Sequence, residues 1–246
     1  MSAPPDARSS DVAAGARMVE HAEGFSCELP GGAWALFTSR AHGNLSTQRG
    51  DGHERGRSAR DRLCANLDLR WLCASRQVNG TTVQRVHAPA GSGGEAVAID
   101  ADGHATSMAA IGAMVLTADC LPVALAGVGG VAMVHAGWRG LAAGVLEEGA
   151  RALRDVGARD PLVAVIGPGA GVCCYEVGAE LHATFGDAHA SGNSIDLRAI
   201  ARERLLAAGV AHVLDARACT ICDARFFSHR REGEHAGRQA GVVWRS

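Results

Sequence analysis

The sequence predicts an α+β layered sandwich in a single domain, on three observations. Apolar runs of strand length recur along most of the chain, and two of them, residues 109–116 and 162–166, are apolar nearly throughout, as in strands buried on both faces. Glycine-bearing turns join neighbouring runs directly, which makes sequential strands partners. Only three or four helical periods intervene, too few for a strict strand–helix–strand repeat.

In chain order, residues 1–23 are rich in Ala, Pro, Ser and Asp and read as a flexible leader; residues 24–246 are the domain. A short strand at 33–38 runs into a polar loop at 39–46. Residues 48–62 carry arginines at 49, 55, 57, 60 and 62 and read as a solvated loop and helix start rather than a phosphate site. A helix over 58–69 places Leu63 and Leu67 on one face. Residues 71–78 and 82–87 read as a hairpin turned at Asn79-Gly80. A glycine-rich loop at 90–94, a strand at 96–99 and an acidic turn at 100–103 lead to the buried strand at 109–116. A helix over 141–156 buries Leu141, Val145, Leu153 and Val156, and its N-terminus just beyond His135 is a favourable place for an anion. After the strand at 162–166 and the turn Gly167-Pro168-Gly169-Ala170-Gly171 comes a helix over 195–208, stopped by Gly209, and a last strand at 242–244.

Composition limits the function. With 47% hydrophobic and 20% charged residues and a net charge of -2, the chain reads as a globular protein with no nucleic-acid partner. No apolar run approaches the ~18 residues of a membrane span, and the N-terminus lacks a signal-peptide core. The expected setting is therefore the cytoplasm, with reduced thiols. All 24 basic residues are arginine. Without lysine there is no Schiff base, no lysine base and no P-loop lysine, and any phosphate falls to arginine, backbone amides or a metal.

Residues 116–140 hold the candidate site. Asp119-Cys120 precedes one apolar run and His135 ends the next, and a hairpin between the runs returns His135 to Cys120. Thiolate and imidazole suit either a transition-metal site or a cysteine nucleophile with its base. Other donors read as structural. Cys219-x-x-Cys222 lacks a second CxxC and reads as packing; of the adjacent Cys173-Cys174, one reads as a buried strand residue. His87 and His104 are spare ligands, the latter in a polar cluster with Asp100 and Asp102.

Three blocks carry a resemblance: residues 117–123 (Thr-Ala-Asp-Cys-Leu-Pro-Val), 135–140 (His-Ala-Gly-Trp-Arg-Gly), and Gly167-Pro168 with 173–177 (Cys-Cys-Tyr-Glu-Val). With them in order, the chain from Arg40 to Trp244 resembles the YfiH/laccase-domain family, often labelled polyphenol oxidase. The resemblance implies a four-layer α/β/β/α fold and purine nucleoside phosphorylase activity, with adenosine deaminase and methylthioadenosine phosphorylase activities beside it. Its partners would be a purine nucleoside and phosphate. It also implies one zinc held by His, Cys and His, with Cys120 as the cysteine and His135 as the second histidine. The block that should supply the first histidine reads Gln77-Val78-Asn79-Gly80, so Asn79 stands there as a weak ligand. Arg40 matches a ligand-facing position, Arg40 and Arg139 are the expected phosphate holders, and Asp119 would orient a ligand or shuttle a proton. Copper is not expected, because no His-x-His occurs. Two alternatives stay open: a metal-free cysteine hydrolase or deamidase using Cys120 and His135, and a non-catalytic binding homologue.

Overall fold

In a computed structural model that describes residues 10–13, 15–47, 52–87 and 99–246, the chain forms two large mixed sheets. Strands β1 (Ser10–Ala13), β2 (Ala16–His21), β3 (Gly24–Leu29) and β4 (Ala33–Thr38) run as a meander, followed by helix α1 (Gly52–Asn66). Next come β5 (Trp71–Cys73), β6 (Val83–Val86), β7 (Gly103–Thr106), β8 (Ile111–Thr117), β9 (Leu121–Val128) and β10 (Gly130–Ala136). The chain continues through α2 (Trp138–Ala143), α3 (Val145–Asp155), β11 (Arg159–Ile166), α4 (Ala179–Phe185), a two-stranded ribbon of β12 (Ala190–Ser191) and β13 (Ser194–Ile195), and α5 (Leu197–Ala207). It ends with β14 (Val210–Asp215), α6 (His229–Glu232) and β15 (Gln239–Arg245). One sheet has the order β1-β2-β3-β4-β15-β8-β5, the other β14-β11-β9-β10-β7-β6.

The alternation of side chains along each strand makes four layers. On β9, β10 and β11, Val123, Leu125, Val134 and Ala164 pack with Leu146, Leu153 and Ala201 of α3 and α5. The intervening Ala124, Met133, Val163 and Val165 pack instead with Phe25, Phe37, Val115 and Val243 of the other sheet. The outer face of that sheet, with Met114 and Val242, buries Ala59 and Leu63 of α1. This is the α/β/β/α arrangement, with strands of the middle layers apolar on both faces because both faces are covered.

Several elements depart from the sequence reading. Residues 10–13 and 16–21, assigned to the leader, are strands, and β2 pairs with β3 throughout; Ala16 and Met18 face the core and supply the alternation that composition concealed. Asn79-Gly80 turns no hairpin. Strand β5 pairs parallel with β8 in one sheet and β6 parallel with β7 in the other, so Asn79 lies where the chain crosses between sheets. Its left-handed φ of 57° is the property that makes Asn a turn residue, used here in a crossover. Gly144, with φ 98°, splits the expected 141–156 helix into α2 and α3. Helix α1 begins six residues earlier than expected, and β8 and α5 follow the expected strand and helix closely, α5 capped by Asp196. The glycine-rich loop at 90–94 and most of the strand expected at 96–99 lie outside the described residues.

Candidate functional site

The β9–β10 hairpin turns through Gly129 (φ 103°), and its register sets His135 opposite Pro122. Cys120 is two residues from that partner, so a thiol and an imidazole 15 positions apart meet at one end of the hairpin. His135 shares parity with Val131 and Met133 and therefore points to the side of the sheet that faces the other sheet. There Asp102, fully buried just before β7, accepts from His135 Nδ1 at 2.8 Å, which leaves Nε2 to meet Cys120. The same carboxylate accepts the backbone N–H groups of Val78 (3.2 Å), Asn79 (3.0 Å) and Gly80 (2.7 Å). Asp102 therefore fixes both the histidine and the crossover that carries Asn79. The sequence reading placed Asp102 only in a spare-ligand cluster; its one legible signal was an acid directly before a buried strand.

Glycine completes the convergence. A Cβ on Gly137 would lie 2.2 Å from Asn79 Oδ1 and 3.2 Å from Cys120 Sγ, and one on Gly140 would lie 2.8 Å from Gly80 O. The bare backbone of α2 is what lets the crossover approach Cys120. Helix α2, only six residues long, is thus occupied by packing against residues 79–80.

Electrostatics favour a charged His135. Burial pulls the imidazole down, but the Cys120 sulfur and the Asp102 carboxylate outweigh it and raise it to about 9. Burial would likewise raise Asp102, yet His135 and the amides of Gly80 and Val78 hold it below its ordinary 3.8. At neutral pH the imidazole is therefore a proton donor.

Asn79, Cys120 and His135 line a cleft of about 1440 Å³. Its walls include Arg57, Arg60 and Arg238, together with Thr117, whose buried Oγ1 has no partner among the described residues. Neither expected phosphate holder is among the lining residues. Arg40 stacks on Phe227 and is engaged by Glu232 and by Phe226 O (3.0 Å), while exposed Arg139 stacks on Trp138. Asp119 is an anchor: its carboxylate accepts from Thr220 Oγ1 (2.7 Å), Ser228 Oγ (3.1 Å) and Arg230 N (2.7 Å). His104 is buried on β7, where burial lowers it to about 4, and neither it nor His87 lines the cleft.

The donor set departs from a His-Cys-His zinc centre. The Cys120 sulfur and the Asn79 amide oxygen converge on Gly137, and Asp102 orients His135 as an outer partner orients a metal-bound histidine. The third donor, however, is a neutral, hard amide oxygen where zinc is best served by nitrogen or sulfur. A different group does converge: Cys219 and Cys222, read from sequence as packing, and Cys173 and Cys174, of which one reads from sequence as a buried strand residue but neither lies in a strand or is buried, have sulfurs all within 4.8 Å of one another.

The family model described as multi-copper polyphenol oxidoreductase laccase matches residues 31–246. The chain belongs to this family. Among relatives, a protein of Xylella fastidiosa strain Temecula1 named purine nucleoside phosphorylase is 40% identical over 235 residues, covering 87% of this chain and 88% of the relative. A protein of an unknown prokaryotic organism named adenosine deaminase RL5 is 35% identical over 229 residues, covering 82% and 86%. The crystal structure of YlmD from Geobacillus stearothermophilus superposes with a TM-score of 0.79 at 28% identity, covering 98% of this chain and 99% of that one. The laccase-domain resemblance and the layered fold are thus both established for this chain.

Proposed function

We propose that the protein is a purine nucleoside phosphorylase of the laccase-domain family, acting also on methylthioadenosine and, by deamination, on adenosine. The observation that carries this reading is a cleft with arginines in its walls and His135, held by Asp102, at its floor. In phosphorolysis a phosphate oxygen bonds to C1′ of the ribose as the C1′–N bond breaks, and that bond's electron pair leaves with the purine. His135 gives its proton to the departing base, producing free purine and ribose 1-phosphate, and regains a proton from solvent. Arg57, Arg60 and Arg238 hold the phosphate. The names of the relatives support the substrate class. No helix among the described residues is long and apolar enough to cross a membrane, and all eight cysteines are free, in keeping with the reducing cytoplasm proposed for it.

A second reading is favoured by one observation: Cys120, His135 and Asp102 stand in the order of a nucleophile, its base and an orienting acid. Replacing Cys120→Ala and assaying release of base from adenosine and inosine, with and without phosphate, separates the two. Phosphate-dependent turnover in the wild type that falls in the variant supports the phosphorylase. Phosphate-independent hydrolysis, blocked by selective alkylation of Cys120, assigns the thiol reading instead, undiminished phosphate-dependent turnover in the variant removes the thiol reading, and no base release by the wild type removes both.

A further inference from the structure

The four-cysteine cluster lies outside the cleft, and the sheet explains how it forms. Strands β11 and β14 are parallel neighbours, so the loops leaving their ends emerge side by side. The first loop carries Cys173 and Cys174, the second Cys219 and Cys222. Backbone bonds zip the loops together, Gly169 N to Ala218 O (3.2 Å) and Thr220 N to Gly169 O (3.1 Å). Gly171 is pressed so close that an added Cβ would sit 3.1 Å from Cys219 Cβ and 3.2 Å from Cys173 Sγ.

Packing does not account for this arrangement. Cys27 and Cys73, 0% and 2% exposed, are the buried thiols of the core, whereas Cys173 and Cys222 are exposed and Cys174 and Cys219 half-buried. Four polarizable sulfurs gathered at a surface gain little from burial. Their separations, 2.9 and 3.4 Å for two pairs and all within 4.8 Å, bracket the roughly 3.8 Å that Zn–S bonds of about 2.3 Å set between the sulfurs of a metal tetrahedron. The surroundings suit an anionic cluster. Backbone N–H groups of Cys222, Gly171 and Ile221 point at Cys219 Sγ. Two guanidinium groups flank the loops: Arg198 bonds Gly169 O (3.0 Å) and Ala218 O (2.5 Å), and Arg231 bonds Thr220 O (2.7 Å) and Ile221 O (2.9 Å).

We propose that Cys173, Cys174, Cys219 and Cys222 form a structural tetrathiolate site for zinc, separate from the cleft. Its role is positional. Thr220, between the two cysteines of the second loop, donates to Asp119, and Asp119 immediately precedes Cys120. The metal staples the loop pair that anchors Asp119 and so helps to aim the Cys120 thiol.

The test is metal analysis of full-length protein purified without chelator in reducing buffer. The Cys120→Ala variant, which lacks the cleft thiol, retains one tightly bound zinc per chain, and Cys219→Ser/Cys222→Ser in that background loses it. Because the serine variants can fail to fold, reduced metal-stripped wild-type protein is also titrated with Co²⁺. One equivalent then gives the thiolate charge-transfer and tetrahedral ligand-field absorption of a four-sulfur site, and it raises the melting temperature. Absence of zinc in Cys120→Ala together with no such cobalt spectrum overturns the proposal. So does a disulfide joining Cys173 or Cys174 to Cys222 in protein kept under reductant, read by mass after alkylation; Cys174 Sγ and Cys222 Sγ are 2.9 Å apart.

Discussion

Asp102→Asn is the substitution that most directly exposes how the site is held. The carboxylate accepts four donors: Asn79 N and His135 Nδ1 at one oxygen, Val78 N and Gly80 N at the other. Asparagine keeps the shape but offers one oxygen, so whichever way its amide turns, two of the four donors face an N–H₂ group. At about 1.5 kcal/mol for each hydrogen bond to a charged group, the loss comes to about 3 kcal/mol. The pH dependence fixes the sign. His135 is raised from 6.5 to about 9, so its contribution is fully present below pH 6.5 and disappears as pH rises through about 9. Asp102 is held below 3.8, so its contribution is present above that value and disappears as pH falls below it. Urea unfolding of wild type and Asp102→Asn should therefore differ most between pH 4 and 6.5, with the gap closing toward pH 9 and above. Base release should fall about 10²-fold or more as the imidazole loses its orientation and charge. Stability within about 1 kcal/mol of wild type at pH 6, or a gap that widens above pH 9, would refute the reasoning.

Two further substitutions address the convergence at Gly137. In Gly137→Ala the backbone (φ -70°, ψ 158°) accepts a side chain without strain, but the new methyl displaces Asn79 by an ångström or more; kcat/KM should drop about 10²-fold while the circular dichroism spectrum is unchanged, and wild-type activity would contradict the geometry. Asn79→His is sterically reasonable, because histidine tolerates the left-handed backbone at this position. It should add one dialysis-resistant zinc to the wild-type content; a gain of metal with a gain of turnover marks a cleft lacking only that ligand, whereas metal without turnover favours a non-catalytic homologue.

Elements whose burial pattern is local were legible in the sequence. Strands β8, β9, β10 and β11 read as apolar runs because both of their faces are covered, and the β9–β10 register followed from glycine at the turn. That register alone brought Cys120 to His135. Segments whose structure depends on a distant partner were misread. Strand β2 alternates too modestly to stand out from the leader composition, and it becomes a strand through pairing with β3. Asn79-Gly80 carries the same dipeptide signal in a crossover as in a hairpin, since both use a left-handed residue. Arg40 fits a family pattern, but Glu232, 192 residues away, engages it.

The sequence by itself determined the layered α+β class, the apolar strands, the absence of lysine and the thiol–imidazole pair, because each is a property of residue type or of spacing within one hairpin. Only the tertiary structure decided what surrounds that pair. The burial of Asp102 beneath His135, the presence of Arg57, Arg60, Arg70, Arg76 and Arg238 in the cleft's walls, and the gathering of four cysteines from two loops all depend on which strands lie side by side. Parallel neighbours such as β11 and β14 are joined by long connections, so the contacts between their loops leave no periodic trace in the chain.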